Sequence, residues 1–173
     1  MADDKKGMLR HVDVLGRVVI PREVRKALRI NYGDLMEFCA CSNQQVVMRK
    51  FHLIREIAEL ANSVVRVARL GRNCDIYILD TEKVVSKNGE NLQSESDITE
   101  DILKVLNSRQ EVEINERISL AKYINFDNPI IIVPVISAGD VLGGVVVSAH
   151  ILDEEMKQSA REISKFLGDY FAS

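Results

Sequence analysis

Apolar and polar residues alternate along two stretches of the first fifty residues, which is the spacing of half-buried β-strands. The stretches are 36–41 and 45–51, and the polar S-N-Q tripeptide between them predicts a β-hairpin. Upstream, the apolar run at 18–20 predicts another strand. Pro21 ends that strand and also opens a short helix predicted over 22–30, because proline is tolerated in a first helical turn.

The next segment, 53–70, has helical periodicity and two apolar seams. Both seams advance by steps of four and three residues and lie side by side, so the predicted helix has a wide apolar face. One seam suits packing on the helix's own domain and the other suits a partner chain, although a single core helix would also explain both. The first seam is Leu53, Ile57, Leu60, Val64 and Val67, and the second is Ile54, Ala58, Ala61, Val65 and Ala68.

Strand and helix patterns then follow each other to the end of the chain. Helices are predicted over 96–109 and 153–171, with Asp153 as the N-cap of the last one. A loop is predicted at 123–129, and Gly143–Gly144 indicates a bulge or a close backbone approach. This order predicts an α+β fold in which helices cover a sheet. The predicted strands are 74–80, 83–86, 110–120, 130–136 and 141–149.

The chain is predicted to form two domains, 1–52 and 53–173. The first has few apolar side chains, and domains this small commonly need disulfides, a metal or a partner chain. No cysteine pattern indicates a disulfide framework, so we expect the first domain to fold as an obligate dimer. Its expected core residues are Val12, Leu15, Val18, Ile20, Val24, Leu28, Ile30, Met36, Phe38, Val46 and Met48.

Composition is typical of a globular protein in a reducing compartment. Apolar residues make up 46% of the 173 residues, and no apolar run approaches the roughly 20 residues of a membrane helix. The first residues, MADDKKG, lack the apolar stretch of a secretory signal, so a cytoplasmic location is expected. Cys39 and Cys41 would share one face of a strand. They are interpreted as small strand residues rather than as a metal half-site or redox pair, because no second ligand pair exists.

The net charge of −3 is divided unevenly along the chain. Residues 1–52 contain ten Lys/Arg against six Asp/Glu, a net +4, whereas residues 53–173 contain thirteen against twenty, a net −7. A basic head on an acidic body indicates a polyanionic partner for the head alone. The cations concentrate in 10–29, and guanidinium groups match both phosphate oxygens and the guanine edge. This stretch therefore predicts contact with double-stranded DNA, although a solvated charge run has the same composition.

Residues 15–34, L-G-R-V-V-I-P-R-E-V-R-K-A-L-R-I-N-Y-G-D, closely resemble the AbrB-type swapped-hairpin DNA-binding domain. The resemblance implies a β-barrel that the hairpins of two interleaved chains form together. His11 stands where the family commonly has Lys or Arg, and Lys26 stands where it often has Arg. The DNA-contacting residues that the resemblance implies are Arg10, Arg17, Arg25 and Lys26, with Arg22 as a further candidate.

The whole chain resembles the stage V sporulation protein T type of regulator, in which a GAF-like domain follows the same head. The resemblance rests on the helix at 53–70, the strand CDIYILD, the pair PIIIVPVISAGDVLGGVVVSA and the closing helix. It implies a homotetramer, as a dimer of dimers, working at the nucleoid in a sporulation or transition-state programme. The GAF-like domain is expected to serve oligomerisation, and sensing of an unknown small-molecule ligand stays open. Polar contacts to such a ligand would come from Tyr77, Arg117, Tyr123 and Asn125.

Other functional classes fit the sequence less well. No P-loop, dinucleotide fingerprint or HExxH motif is present and the three histidines are scattered, so no catalytic residue, metal or certain cofactor is expected. The main alternative is an antitoxin-like DNA-binding protein that neutralises a protein partner, but the periodic apolar sequence of 53–173 differs from a disordered tail. RNA binding is disfavoured because 10–29 contains no aromatic residue to stack bases.

Overall fold

The computed structural model describes residues 7–92 and 97–172. Within them the chain forms two compact units that divide between Phe51 and His52. The division falls where the alternating pattern of a strand changes to helical periodicity. No helix in the described residues is long and apolar enough to cross a membrane.

Within residues 7–51, the first unit forms a short helix and a β-hairpin. Helix α1, Arg22–Ala27, begins directly after Pro21, whose φ of −56° suits a helix entry. The helix is shorter than predicted, because Arg29 takes a left-handed φ of 51° and ends the helical run. The strand predicted at 18–20 is wrong for the single chain: none of the described segments pairs with these residues, so they form no ladder hydrogen bonds.

The hairpin has one apolar and one polar face. Strands β1, Met36–Cys41, and β2, Gln45–Lys50, pair antiparallel, which confirms the predicted hairpin. Residues directly opposite each other share a face, so Phe38 lies beside Met48, while Glu37 and Arg49 form an ion pair on the other side. The apolar hairpin face consists of Met36, Phe38, Ala40, Val46 and Met48.

The residues expected to form the core of the first unit are not buried in this chain. Between residues 7 and 51 no side chain is fully buried, and each expected core residue is half-buried or exposed. Phe38, on the apolar hairpin face, has a relative exposure of 63%. Full burial of a large apolar side chain is worth roughly 1.5–3 kcal/mol, so most of that stabilisation is missing from a single first unit.

Within residues 52–92 and 97–172, the second unit is built on a six-stranded antiparallel sheet. The strands of this sheet are β3, Asp75–Asp80; β4, Val84–Lys87; β5, Glu90–Asn91; β6, Val112–Ile114; β9, Ile130–Ser137; and β10, Asp140–Ser148. Their spatial order is β5-β4-β3-β10-β9-β6. A separate pair is formed by β7, Ile118–Ala121, and β8, Ile124–Phe126. The predicted loop at 123–129 is therefore wrong, because β8 lies within it and hydrogen-bonds to β7.

Helices cover both faces of the sheet, as the predicted α+β architecture requires. The helices are α2, Leu53–Glu56; α3, Ala58–Ala68; α4, Glu100–Ser108; and α5, Glu154–Tyr170. One hydrophobic core lies between the sheet and α2, α3 and α5, and a second lies between the sheet, α4 and the β7–β8 pair. Ile131 belongs to the first core, whereas Ile130 and Ile132 belong to the second. The apolar run of β9 is unbroken because both of its faces are buried.

The predicted helix over 53–70 is divided at Ile57, whose φ of −105° and ψ of 20° separate α2 from α3. Its two apolar seams differ in burial. Ile54, Ala61 and Val65 of the second seam are fully buried in the core of their own unit. The first seam stays half-buried or exposed, and Val67 is 68% exposed. The second seam therefore packs on the sheet, while the first packs at the edge of the same core through Ile57 and Val64 and is exposed at Val67.

Side-chain caps mark the starts of α4 and α5. Asp153 accepts a hydrogen bond from the Met156 N–H at 2.8 Å, which confirms it as the N-cap of α5. Thr99 caps α4 in the same way through the Ile102 N–H at 3.5 Å. The start at Ser96 that the sequence predicted for α4 lies outside the described residues.

Candidate nucleic-acid interface

Helix α1 and the residues directly after it bring four cations together. Arg22, Arg25 and Lys26 follow the spacing i, i+3, i+4, which places them on one face of the helix. Arg29 lies beyond the end of α1 and joins them through the turn that follows. Together with Ile30 and Asn31 they line a shallow groove, here called the cationic groove. Apolar side chains of α1 occupy other positions, so the charged side is free to meet a ligand in solvent.

Three of the four cations that line the cationic groove carry charge that the described part of the first unit does not neutralise. Within the described residues, the side chains of Arg22, Arg25 and Lys26 form no ion pair or hydrogen bond, and Glu23 is the one acidic residue of α1. Several cations held close together without counter-charges create a local positive potential that attracts polyanions. The groove is therefore suited to a phosphate backbone.

Hydrogen bonds to the hairpin fix the far end of the groove. The Lys50 ammonium donates to the Arg29 carbonyl at 3.1 Å and lies 3.0 Å from the Asp34 carboxylate. That carboxylate also accepts from the Asn31 N–H at 2.6 Å, and the Asn31 side-chain amide donates to the same Arg29 carbonyl at 3.2 Å. Lys50 thus has a structural role, and it holds the turn after α1 in place.

Sequence reasoning identified Arg22, Arg25 and Lys26 as DNA-contacting candidates but missed Arg29. Arg29 lies in the cation-rich stretch 10–29, but the resemblance that supplied the candidate residues does not implicate it. The structure places all four cations around one groove.

Arg17 is held in a tight turn by Asp13. One carboxylate oxygen, Oδ2, accepts from the Arg17 Nε at 2.7 Å, and the other, Oδ1, accepts from the backbone N–H groups of Leu15 and Arg17, each at 2.9 Å. Gly16 has a φ of +76°, a left-handed conformation that glycine adopts at little cost. The pair is exposed, with 72% of the Arg17 side chain accessible.

Arg10 lies on the exposed segment before that turn. Its Nη1 donates to the carbonyl of the preceding Leu9 at 2.8 Å, a local contact that leaves most of the guanidinium open. His11 is also exposed. Neither Arg10 nor Arg17 lines the cationic groove, so the single chain does not bring all five candidates into one site.

The four candidate ligand contacts of the second unit do not converge either. Tyr77 is buried, packs edge-to-face on Phe126 with ring centroids 5.2 Å apart, and its burial raises the pKa of its hydroxyl. By contrast, Arg117 is exposed beside Asp127, and Tyr123 and Asn125 are exposed on the β7–β8 pair. One of the four is therefore a core residue and the other three are surface residues.

A second groove runs between α3 and α5, and we call it the helical groove. Its apolar part is formed by Val64, Val67, Ala68, Ile163 and Phe166. Ser63, Arg72, Ser159 and Glu162 supply its polar rim. Val67, the exposed member of the first seam, lies in this groove, so one chain leaves an apolar side chain uncovered there.

The cysteines and the other metal-ligating residues supply no cluster for chemistry. Cys39, Cys41 and Cys74 are free thiols, and Cys74 is buried, which raises the pKa of its thiol. Across residues 7–92 and 97–172, no group of three or more His, Cys, Asp or Glu side chains is arranged to hold a metal ion.

Comparisons with known proteins define the class. The profile of a family described as "Stage V sporulation protein T C-terminal, transcription factor" matches residues 56–172, more than half of the chain. This class of protein is a transcription factor and not an enzyme. The chain belongs to that stage V sporulation protein T family.

Two individual proteins are similar to this chain. Stage V sporulation protein T of Bacillus subtilis (strain 168) is 27% identical over 146 residues, covering 82% of each chain. That share exceeds the length of the second unit, so the alignment extends into the first unit. A crystal structure from Burkholderia vietnamiensis, of a protein assigned as a GAF sensor, covers 68% of this chain and 86% of its own at 16% identity. Its TM-score of 0.40 is too low to assign the fold.

Proposed function

We propose that this protein regulates transcription by binding double-stranded DNA through the first units of two chains. The observation that carries the proposal is the cationic groove, where Arg22, Arg25 and Lys26 converge without counter-charges. DNA-binding proteins gain most of their sequence-independent affinity from such contacts with phosphates. Arg10 and Arg17, which lie outside the groove, would contact the duplex at separate points.

The open core of the first unit supports a dimer. Its apolar hairpin face and the apolar residues around 12–19 need a cover, and a second copy of the same unit offers matching surfaces. Exchange of hairpins between two chains, as the AbrB-type resemblance implies, would also give residues 18–20 a strand to pair with. We therefore propose a swapped-hairpin barrel formed by domain 1–52.

The separation of charge along the chain indicates that the first unit, and not the second, faces DNA. Residues 1–52 carry a net +4 and residues 53–173 a net −7, so phosphates attract the first unit and repel the second. We place the protein at the nucleoid in the cytoplasm on this basis. A folded second unit of this size differs from the short tail of an antitoxin.

A salt titration tests the proposed face. Full-length protein carrying Arg25→Ala and Lys26→Ala is expected to bind mixed-sequence genomic duplexes more weakly than wild type, with a flatter dependence of log K on log salt. Each phosphate contact contributes about −0.9 to that slope, so a dimer that loses four cations should flatten it by roughly two to four. Binding is measured by fluorescence anisotropy from about 50 mM salt upward, where such contacts are strong.

The matched control is Lys104→Ala with Lys122→Ala, which removes the same charge from exposed positions of the second unit. The control should keep the wild-type slope. Equal slopes for all three proteins would reject the cationic groove as the DNA-binding face. Absence of binding by wild type at low salt would instead favour a protein partner.

The second unit, domain 53–173, is proposed to be GAF-like and to join two such dimers into a tetramer. The helical groove supports this, because apolar side chains that include the exposed Val67 lie within a polar rim. Protein–protein interfaces commonly have this composition, with an apolar core shielded from water and a polar rim around it. Sensing of a small molecule is not favoured by any contact among Tyr77, Arg117, Tyr123 and Asn125.

Substitution of Val67 tests the assembly. Val67→Glu is expected to convert the tetramer into dimers, because a carboxylate in an apolar interface would lose its hydration without gaining a partner. Sedimentation equilibrium of the full-length chain gives the masses. Asn107→Glu, on the exposed side of α4, is the control and should remain tetrameric. A tetramer that survives Val67→Glu would place the interface elsewhere.

A further inference from the structure

The carboxylate of Asp13 accepts three hydrogen bonds. It binds Arg17 through both a side-chain and a backbone N–H, and it also accepts from the Leu15 N–H. Backbone hydrogen bonds between Asp13 and Arg17 at 3.0 Å and between Gly16 and Asp13 at 3.0 Å close the turn. The position of the guanidinium is therefore set by the turn and not by the free rotation of an arginine side chain.

This arrangement decides which edge of the Arg17 guanidinium stays available. Nε is engaged by Asp13, so the edge formed by Nη1 and Nη2 is the one that can meet a ligand. Two parallel N–H donors on a rigid plane match the O6 and N7 acceptors that guanine presents in the major groove. An arginine fixed through Nε loses less conformational freedom when it makes that contact.

The charge of the pair separates its role from that of the cationic groove. The Asp13 carboxylate neutralises Arg17, and a carboxylate near a phosphate is repelled, so the pair adds little to backbone attraction. Arg22, Arg25 and Lys26 have no such partner among the described residues. Phosphate binding thus falls to the groove, and the paired arginine is better suited to a base edge.

We propose that Asp13 is a positioning residue that holds Arg17 for bidentate contact with a guanine in the major groove. The proposal rests on the proposed DNA-binding function and adds to it the source of sequence discrimination. Hydrogen bonds from the Arg17 backbone, the Arg17 side chain and the Leu15 backbone hold the pKa of the Asp13 carboxyl below its usual value.

The test compares one duplex with and without the guanine N7 acceptor. Wild-type full-length protein is used to select a preferred duplex from a random 30-bp pool, and each selected guanine is then replaced by 7-deazaguanine. At the guanine that Arg17 reads, replacement should weaken wild-type binding by about 5-fold or more, the range of one bidentate base contact. Asp13→Asn keeps an oxygen for the two backbone N–H groups but loses the ion pair. It should therefore lose most of this sensitivity.

Three further measurements separate positioning from a structural role. Asp13→Asn should bind mixed-sequence duplex as tightly as wild type, or more tightly, with the same salt slope, since no phosphate contact is lost. Arg17→Lys keeps the positive charge but loses the two parallel N–H donors of the guanidinium, and it should lose the sensitivity to 7-deazaguanine as Asp13→Asn does. Glu37→Gln, which weakens the Glu37–Arg49 ion pair on the polar face of the hairpin, should retain the wild-type sensitivity to 7-deazaguanine.

Several outcomes would overturn the proposal. Equal losses on selected and mixed duplexes for Asp13→Asn would make Asp13 a structural residue of the turn. Full sensitivity to 7-deazaguanine in Asp13→Asn would show that Arg17 needs no positioning, and absence of any guanine preference in the wild-type pool would reject base reading by Arg17. Failure of wild type to bind any duplex would reject the DNA-binding function itself.

Discussion

Full-length protein carrying Phe38→Asp is expected to lose the folded first unit and, with it, DNA binding. Phe38 lies on the apolar hairpin face beside Met48, and in one chain 63% of its surface is exposed. If a second copy covers that face, the new carboxylate becomes buried without a partner. Such a charge costs several kcal/mol, which is as much as a unit of about fifty residues has in total.

The matched control is Val47→Asp on the same hairpin. Val47 lies opposite Cys39 on the other face, together with the Glu37–Arg49 ion pair, so a carboxylate there should remain hydrated. We expect this variant to keep its fold and to change DNA binding only through its charge. Both variants introduce a carboxylate into the β1–β2 hairpin, and they differ in the face of the hairpin on which it lies.

Hydrogen exchange provides the readout in the full-length chain. Amides of β1 and β2 should lose protection in Phe38→Asp and keep it in Val47→Asp, at protein concentrations where wild type is assembled. The second unit serves as an internal reference, because its sheet has its own cores. Protection that persists in Phe38→Asp but disappears in Val47→Asp would place the dimer contact on the opposite face of the hairpin.

Elements with a strong local signal were predictable from the sequence. The β1–β2 hairpin followed from alternation on both sides of a polar tripeptide, and α5 followed from its capping Asp153 and a regular apolar seam. The pair β7–β8 was not predictable as such, because three- and four-residue strands show too little alternation. The break at Ile57 was also hidden, since the two seams continue through it without interruption.

The candidate DNA-binding site was predictable in its charges but not in its contacts. The excess of cations in 10–29 can be counted, whereas the role of Asp13 depends on a turn closed at Gly16. As a bare charge, Asp13 only reduces the net positive charge of the head. In the folded turn it determines how Arg17 is presented, and that information lies in backbone geometry and not in composition.

Gly143→Ala is expected to destabilise the second unit by about 3 kcal/mol or more, the upper range for overpacking. A Cβ on Gly143 would lie 2.0 Å from the Leu79 carbonyl oxygen and 2.9 Å from the Asp80 Cα, both in the neighbouring strand β3. Backbone atoms cannot rotate away, so β10 or β3 would have to shift. On its other side β10 shifts its register against β9 between Val141 and Gly143, so the glycine pair coincides with both a bulge and a close approach, as predicted.

Movement of β3 is itself opposed by the contacts of Asp80. This buried carboxylate accepts hydrogen bonds from the Glu82 and Lys83 N–H groups at 2.5 and 2.6 Å and forms an ion pair with Arg55 of α2. A shift of the strand would weaken these bonds in a site with little access to water, where lost partners are costly. A shift of β3 is therefore not a low-energy way to accommodate the added methyl group of Gly143→Ala.

Gly144→Ala is the neighbouring control, and it should cost less, about 1–2 kcal/mol. The added Cβ would lie 2.5 Å from Leu106 Cδ2, the far end of a side chain that can change rotamer, and 3.5 Å from the Val133 oxygen. Urea unfolding of the full-length variants, followed by far-ultraviolet circular dichroism, gives the two free energies. Both substitutions add one methyl group to adjacent residues of β10. The difference between their free energies of unfolding therefore measures how much more a clash with backbone costs than a clash with a side chain. A larger loss for Gly144→Ala than for Gly143→Ala would mean that β10 can move away from β3 more easily than Leu106 can repack.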